Sequence, residues 1–321
     1  MDVKDGIIGL AVADALGVPV EFKSREVLKL KPVTDMIGNG TYNQPEGTWS
    51  DDTSMVLATL DGVIESGRLD YEQIATNFCL WASGKKYNAH DKLFDIGITT
   101  HKSLQNYVTT GVEATKAGCN GIYDNGNGSL MRILPIAYYF KENPCNDYEM
   151  ADIIDDLSSI THRHEISCMA CYLYTKYALS LLDGKDFKEA YEDLKRVDTT
   201  MYSKATTNNF KRILSGEIAT IENEKDISSS GFVVSSLEAA LWCCLKTNNY
   251  EEATLKAVNL GEDTDTVAAI AGGLCGIRYG IDNIPSKWQE KLVKRDYIIS
   301  LADRYQNTIK TMSKDVKELY K

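Results

Sequence analysis

Apolar residues recur at i, i+3, i+4 and i+7 through most of this chain, a periodicity that admits helices and little else. It runs through SMVLATLDGVIESG, YEQIATNFCLWASG, YEMADIIDDLSSI, SCMACYLYTKYALSLL, VVSSLEAALWCCLKT, YEEATLKAVNL and TVAAIAGGLCGIRYG. Gly67, Gly84 and Gly261 close three of these runs, as left-handed C-terminal caps do. Convincing alternating strands are absent. KPVTDMIGNGTYN offers one short extended piece, too isolated to seed a sheet. Six prolines and 23 glycines in 321 residues are few for an all-β protein. These patterns predict an all-α fold of about a dozen helices, packed as one compact domain over residues 1–321.

Composition narrows the function. With 43% hydrophobic and 25% charged residues, the chain is neither disordered nor fibrous. It carries 46 acidic against 35 basic side chains, a formal charge of −11, which repels phosphates on average. A general nucleic-acid or membrane-surface binder is therefore not expected. No apolar run approaches the ~18 residues that span a bilayer. The stretch from Gly6 to Ala13 is short and ends at Asp14, without a basic leader or a small-residue cleavage pattern, so no signal peptide is expected. The eight cysteines then read as reduced core thiols of a cytoplasmic protein, including the Cys168–Cys171 pair inside CMACYLYTKYALSLL. IENEKDISSSG (221–231) reads as a surface loop, and NTIKTMSKDVKELYK (307–321) as a charged amphipathic helix with a solvated face.

Five polar or glycine-rich patches interrupt the helical pattern: DALGVPVEF, GTWSDDTSM, DNGNGSLMR, THRHE and GEDTDTVAAIAGG. In two of them carboxylates open a helix. Asp51 and Asp52 follow Ser50; Asp263 and Asp265 flank the start of another helix beside Thr266. A hydroxyl N-cap with one acid in the first turn needs no ligand, because the helix dipole favours it. Four carboxylates at two such starts, leading into buried-looking helices, repel one another unless protonated or bound to a cation. Their all-oxygen donors suit Mg²⁺ or Mn²⁺, or Ca²⁺, and not Zn²⁺.

The other patches are less specific. The loop DNGNGSLMR runs into an apolar helix, and free amides at such a start can hold a phosphate, although Asn-Gly also marks ordinary turns. The two histidines of THRHE diverge on a helix and converge on a loop; His162 could donate to a phosphate or to a carbonyl. Glu21 sits in a turn set by Gly17 and Pro19, between Val20 and Phe22. It is either a surface glutamate or a carboxyl whose pKa apolar neighbours raise toward acid–base work.

In order and wording these patches resemble the ADP-ribosylglycohydrolases. The match runs from GIIGLAVADALGVPVEF through WSDDTSM, NGNGSLMRILPIA, ITHRHE and GFVVSSLEAALW to GEDTDTVAAIAGGLCGIRYG, residues 6–280. The resemblance implies an orthogonal all-α bundle with two Mg²⁺ or Mn²⁺ ions at the base of a cleft. Ser50, Asp51 and Asp52 match the family's hydroxyl-Asp-Asp triplet, and Asp263, Asp265 and Thr266 its Asp-x-Asp-Thr element. Glu21 falls where the family places a catalytic or metal-gating carboxylate. Asp124, Gly126, Asn127, Gly128 and Ser129 match the loop that holds the distal ribose and phosphates, His162 a substrate-side histidine, and Phe232 a pocket aromatic. Three positions depart from the common pattern. Ala13 stands in place of a glycine before Asp14, Ser50 in place of a threonine, and Phe232 in place of a tyrosine.

The implied activity is removal of ADP-ribose from modified protein side chains, arginine first, by a monomer whose partner is an ADP-ribosylated protein or a small ADP-ribose compound. The alternatives are an O-linked substrate (ADP-ribosyl-serine, poly(ADP-ribose) or O-acetyl-ADP-ribose) and a non-catalytic ADP-ribose binder on the same fold.

Overall fold

The computed structural model describes the backbone of residues 1–319 and the side chains of residues 1–313. Among them there is no β-strand, only three isolated bridges, and twelve helices run eight residues or more. Six helices frame the site: α1 (Val3–Gly17), α2 (Asp51–Ser66), α3 (Ile98–Thr110), α4 (Glu165–Leu182), α5 (Val233–Leu245) and α6 (Thr264–Tyr279).

Helices α1 and α6 form the centre. Both are buried around nearly their whole circumference, which explains why neither has a polar stripe. Their backbones touch: a Cβ on Gly9 would stand 2.4 Å from the Gly272 carbonyl oxygen. Buried apolar residues from Val3 to Ile309 form one contiguous core around this pair.

The predicted caps hold. Gly67, Gly84 and Gly261 all have left-handed backbone, at φ 64°, 75° and 79°. KPVTDMIGNGTYN is irregular, with a single turn of 3₁₀ helix at Gly40–Tyr42 and one isolated bridge, Asn39 to Gln44. All eight cysteines are free, and Cys168 and Cys171 lie buried within α4.

The loop 221–231 is only partly a surface feature. Ile227 and Ser229 are buried, and the Ser229 carbonyl accepts from the Asp263 amide at 3.2 Å. Arg25 staples this loop down, donating to the carbonyls of Glu224, of Ile227 (2.7 Å) and of Leu260 (2.8 Å). The last helix, Arg295–Leu319, continues as expected. The solvated face predicted for 307–321 falls mostly outside the described side chains. No helix among the described residues is long and apolar enough to cross a membrane.

Candidate active site

Five chain segments deliver carboxylates to one place. Helix α1 brings Asp14, and the turn after it brings Glu21. The first turn of α2 brings Asp51 and Asp52, the loop before α3 brings Asp95, and the start of α6 brings Asp263 and Asp265. One oxygen from each of Asp14, Asp52 and Asp265 lies within 4.8 Å of the others, and the same holds for Glu21, Asp95 and Asp265. Asp265 belongs to both groups.

Asp14 is the keystone. Both its oxygens accept from the Ser50 amide at 3.0 Å, and Oδ2 also accepts from the Thr53 amide (3.1 Å) and hydroxyl (2.6 Å). An acid in the last turn of α1 thus satisfies amides that the start of α2 would leave unpaired. Burial still pushes its pKa up to about 6, against those hydrogen bonds.

Around it lie the hydroxyls of two helix starts, with Thr266 in the first turn of α6 behind its N-cap Asp263. Ser50 caps α2, and its Oγ donates to Asp52 Oδ2 at 3.1 Å; the Thr266 hydroxyl donates to the same oxygen at 3.2 Å. Asp52 Oδ1 is buried without a hydrogen-bond partner, and so is Glu21 Oε2. Burial, then the charges of neighbouring acids, pushes Asp51, Asp52 and Asp265 well above the usual carboxylate range. Burial also raises Asp95 and Asp263. Glu21 is only 7% exposed, and burial followed by the Asp95 charge pushes it up to about 8.

This arrangement fits divalent cations. Orphaned carboxylate oxygens in a buried cluster are costly, and hard cations with oxygen ligands remove both the desolvation and the repulsion. The residues that could hold them are Asp51, Asp52, Asp263 and Asp265, with the Ser50 and Thr266 hydroxyls.

The glycine loop docks onto this cluster. Asn127 donates from Nδ2 to Asp263 Oδ2 (2.7 Å) and to Ser236 Oγ on α5 (2.9 Å). Its amide donates to the Gly231 carbonyl, and Val233 donates back to the Asn125 carbonyl. Sequence reasoning treats the loop and the carboxylates as separate elements; Asn127 joins them. Phe232, between these backbone bonds, is exposed at the start of α5.

Other loop residues face elsewhere. The Ser129 side chain points into the core, where it accepts from the Ser158 hydroxyl at 2.9 Å. Asp124 closes a turn, accepting from the Gly121 amide at 3.0 Å. His162 is 2% exposed and lies under the loop: its Nδ1 pairs with the Thr161 hydroxyl, and a Cβ on Gly128 would meet its ring at 2.7 Å. Burial, with the Arg132 charge, pushes its pKa down to about 3, so the ring is neutral in use. It supports Gly126 and Gly128 from below.

Two acids of the cluster escape the sequence reading. Asp14 carries a signal, an acid that opens the patch DALGVPVEF, but the sequence reading gives it no role in the cluster. Asp95 has none: it is a single acid in KLFDIG, brought to Glu21 and Asp51 by the fold. Tyr42, beside both Glu21 and Asp95, is equally silent in sequence.

The model of the ADP-ribosylglycohydrolase family matches residues 2–315. ADP-ribosylarginine hydrolase Tri1 of Pseudomonas putida (strain GB-1) is 32% identical over 302 residues, covering 93% of this chain and 76% of that protein. ADP-ribosyl-(dinitrogen reductase) glycohydrolase of Rhodospirillum rubrum is 29% identical over 294 residues, covering 89% and 88%. A solved structure described as an ADP-ribosylglycohydrolase-related protein complex matches with a TM-score of 0.80 at 27% identity, over 96% of this chain and 98% of that one. The chain belongs to the ADP-ribosylglycohydrolase family, and by that membership it is a hydrolase that removes ADP-ribose.

Proposed function

We propose that this enzyme releases ADP-ribose from ADP-ribosylated arginine side chains of proteins, with two Mg²⁺ or Mn²⁺ ions held by the carboxylate cluster. The observation that carries the metal reading is the orphaned buried oxygen Asp52 Oδ1, in a cluster of acids whose two overlapping groups share Asp265. The arginine reading is supported by relatives named ADP-ribosylarginine hydrolase, 32% and 31% identical to this chain.

Bound there, the cations would supply charge neutralisation and Lewis-acid polarisation next to the ribose. The chain's own residues supply the rest. Asn127, anchored on Asp263 and Ser236, holds the glycine loop at the cluster's edge, where its backbone amides would bind the pyrophosphate. Gly126 and Gly128 let that loop lie flat on the neutral His162 ring, while Phe232 offers an apolar face at the same edge. Cleaving the glycosidic bond builds positive charge on the ribose ring, which the surrounding carboxylates stabilise. Glu21 is the acid–base residue: its free Oε2 is shielded from water and can pass a proton without breaking an existing hydrogen bond. Asp14 positions α2 and leaves the chemistry to its neighbours.

We place the enzyme in the cytoplasm as a single-domain monomer over residues 1–321, acting on ADP-ribosylated protein and not on nucleic acid or membrane. The charge of −11 and the eight free thiols support that placement. The test is release of ADP-ribose from matched arginine-linked and serine-linked peptides, with Mn²⁺ and after chelation. Metal-dependent release from the arginine-linked peptide is expected. Release from the serine-linked peptide alone would move the enzyme to O-linked substrates, and binding of ADP-ribose with no release would make it a binder.

A further inference from the structure

Three aromatic rings flank the carboxylate cluster and take no part in the chemistry above. Phe22 is 71% exposed and holds left-handed backbone at φ 64°, a strained choice for a bulky residue. Two backbone hydrogen bonds hold it so: Phe22 donates to the Glu262 carbonyl at 2.7 Å, and Glu262 donates to the Lys23 carbonyl at 2.8 Å. The Tyr42 ring stands 6.5 Å from the Phe22 ring and 5.2 Å from the Phe94 ring, tilted by about 60° to each. Each phenylalanine is the chain neighbour of an acid, Phe22 of Glu21 and Phe94 of Asp95, and Tyr42 lies beside both acids.

Strain and exposure at one apolar residue persist only where something else gains from them. The row does not suit an anion, because ring faces are electron-rich and two of the rings are chain neighbours of the acids Glu21 and Asp95. It does suit a flat, delocalised cation, which stacks on ring faces and pairs with a carboxylate at its edge. A hydrogen-bond acceptor is waiting there as well, since Glu21 Oε2 is buried without a partner. The glycine loop and Phe232 meet the cluster at Asp263, whereas the row meets it at Glu21 and Asp95. A ribose over the carboxylates with its phosphates at the loop would have its leaving group on the side of the row.

We infer that Phe22, Tyr42 and Phe94, with Asp95 and Glu21 Oε2, form the subsite for the guanidinium of the modified arginine and so set acceptor specificity. This rests on the arginine reading above. A serine acceptor is small and neutral and would leave the row unused.

The test uses the Mn²⁺-loaded enzyme, an ADP-ribosyl-arginine peptide as substrate, and two competitors: agmatine and its neutral isostere with a urea in place of the guanidinium. Agmatine is expected to compete at least about tenfold better than the isostere. In Phe22→Leu and Phe94→Leu, which keep apolar bulk and lose the ring face, KM and the agmatine inhibition constant should both rise about 3- to 30-fold. The loss should be carried by KM rather than kcat, and inhibition by free ADP-ribose, which reads the cluster and the glycine loop, should be retained. Equal competition by agmatine and the isostere on the unaltered enzyme overturns the inference without any variant. So does a loss of ADP-ribose inhibition that matches the loss for agmatine, because the row would then serve the nucleotide. If the unaltered enzyme cleaves only serine-linked ADP-ribose, the arginine reading itself falls, and the subsite with it.

Discussion

Gly17 lies so close to Asp265 that a Cβ on the glycine would stand 2.3 Å from the aspartate's Cα and 2.4 Å from its amide nitrogen. The Thr264 hydroxyl bonds the Gly17 carbonyl across the same contact, at 2.8 Å. The end of α1 is thus pressed onto the beginning of α6, and this brings Glu21, four residues further on, to Asp265.

The junction makes a sharp prediction. Gly17→Ala must push the two helix ends apart, since backbone atoms cannot rotate away as a flexible side chain would. We expect the helical circular dichroism to survive, with a stability loss of about 1–3 kcal/mol. Mn²⁺ affinity measured by calorimetry should fall by at least about tenfold, because the shared Asp265 moves relative to both of its groups. Unchanged Mn²⁺ affinity would mean that Asp265 is not a ligand, or that the junction yields without moving it.

Asp14 and Asp52 should respond in opposite ways to the same change. Asp14 faces four hydrogen-bond donor contacts, and an asparagine there must turn its NH₂ toward at least one of them. Leaving a buried donor unpaired costs about 1–3 kcal/mol, so metal-free Asp14→Asn should melt below the wild type. Asp52 carries an orphaned oxygen among like charges, so metal-free Asp52→Asn should melt at or above the wild type. Both should lose most of the rise in Tm that Mn²⁺ gives the wild type, through mass action on the folded state. A metal-free Asp14→Asn as stable as the wild type would remove Asp14 from the start of α2.

Asp14 and Asp95 mark where sequence legibility ends. Asp51, Asp52, Asp263 and Asp265 announce themselves because they stand at the caps and first turns of two helices, α2 and α6, where the sequence pattern shows a helix beginning. Asp14 and Asp95 do not, because one comes from the far end of α1 and one from a loop, and only the tertiary fold brings them in. Orientation is equally invisible: Ser129 and His162 sit at the right positions in the chain, yet the first faces the core and the second lies beneath the loop. The aromatic row is scattered over positions 22, 42 and 94, with no spacing that links them.

The pH dependence of stability should flatten with metal. Burial raises Asp14 to about 6, Glu21 to about 8, and Asp155 and Glu238, away from the cluster, each to about 7. A carboxyl with a raised folded-state pKa binds more protons folded than unfolded between its ordinary value and the raised one. Its contribution is complete at low pH and is lost as pH rises through the folded value. The metal-free Tm should therefore fall between about pH 5 and 8. With saturating Mn²⁺ the cluster's share disappears, leaving the shallower slope of Asp155 and Glu238. Calorimetry in buffers of different ionisation heat should detect protons released on Mn²⁺ binding near pH 6. Binding without proton release would place the metal elsewhere.

Glu21 has to be separated from the acids it nearly touches, since one of its oxygens lies within 4.8 Å of oxygens of both Asp95 and Asp265. Glutamine keeps the shape and can still accept one hydrogen bond, but it cannot hold and release a proton. If Glu21 is the acid–base residue, Glu21→Gln should keep ADP-ribose affinity and the full Mn²⁺-induced rise in Tm, while kcat falls by about 10²–10⁴. If it is instead a ligand, the rise in Tm should shrink along with turnover, as expected for Asp265→Asn. Single-turnover release of ADP-ribose beside paired melts with and without Mn²⁺ distinguishes the two. A Glu21→Gln enzyme that turns over at the wild-type rate with its metal-induced stabilisation intact would remove Glu21 from both roles and pass the proton transfer to Asp95, the half-buried acid beside it.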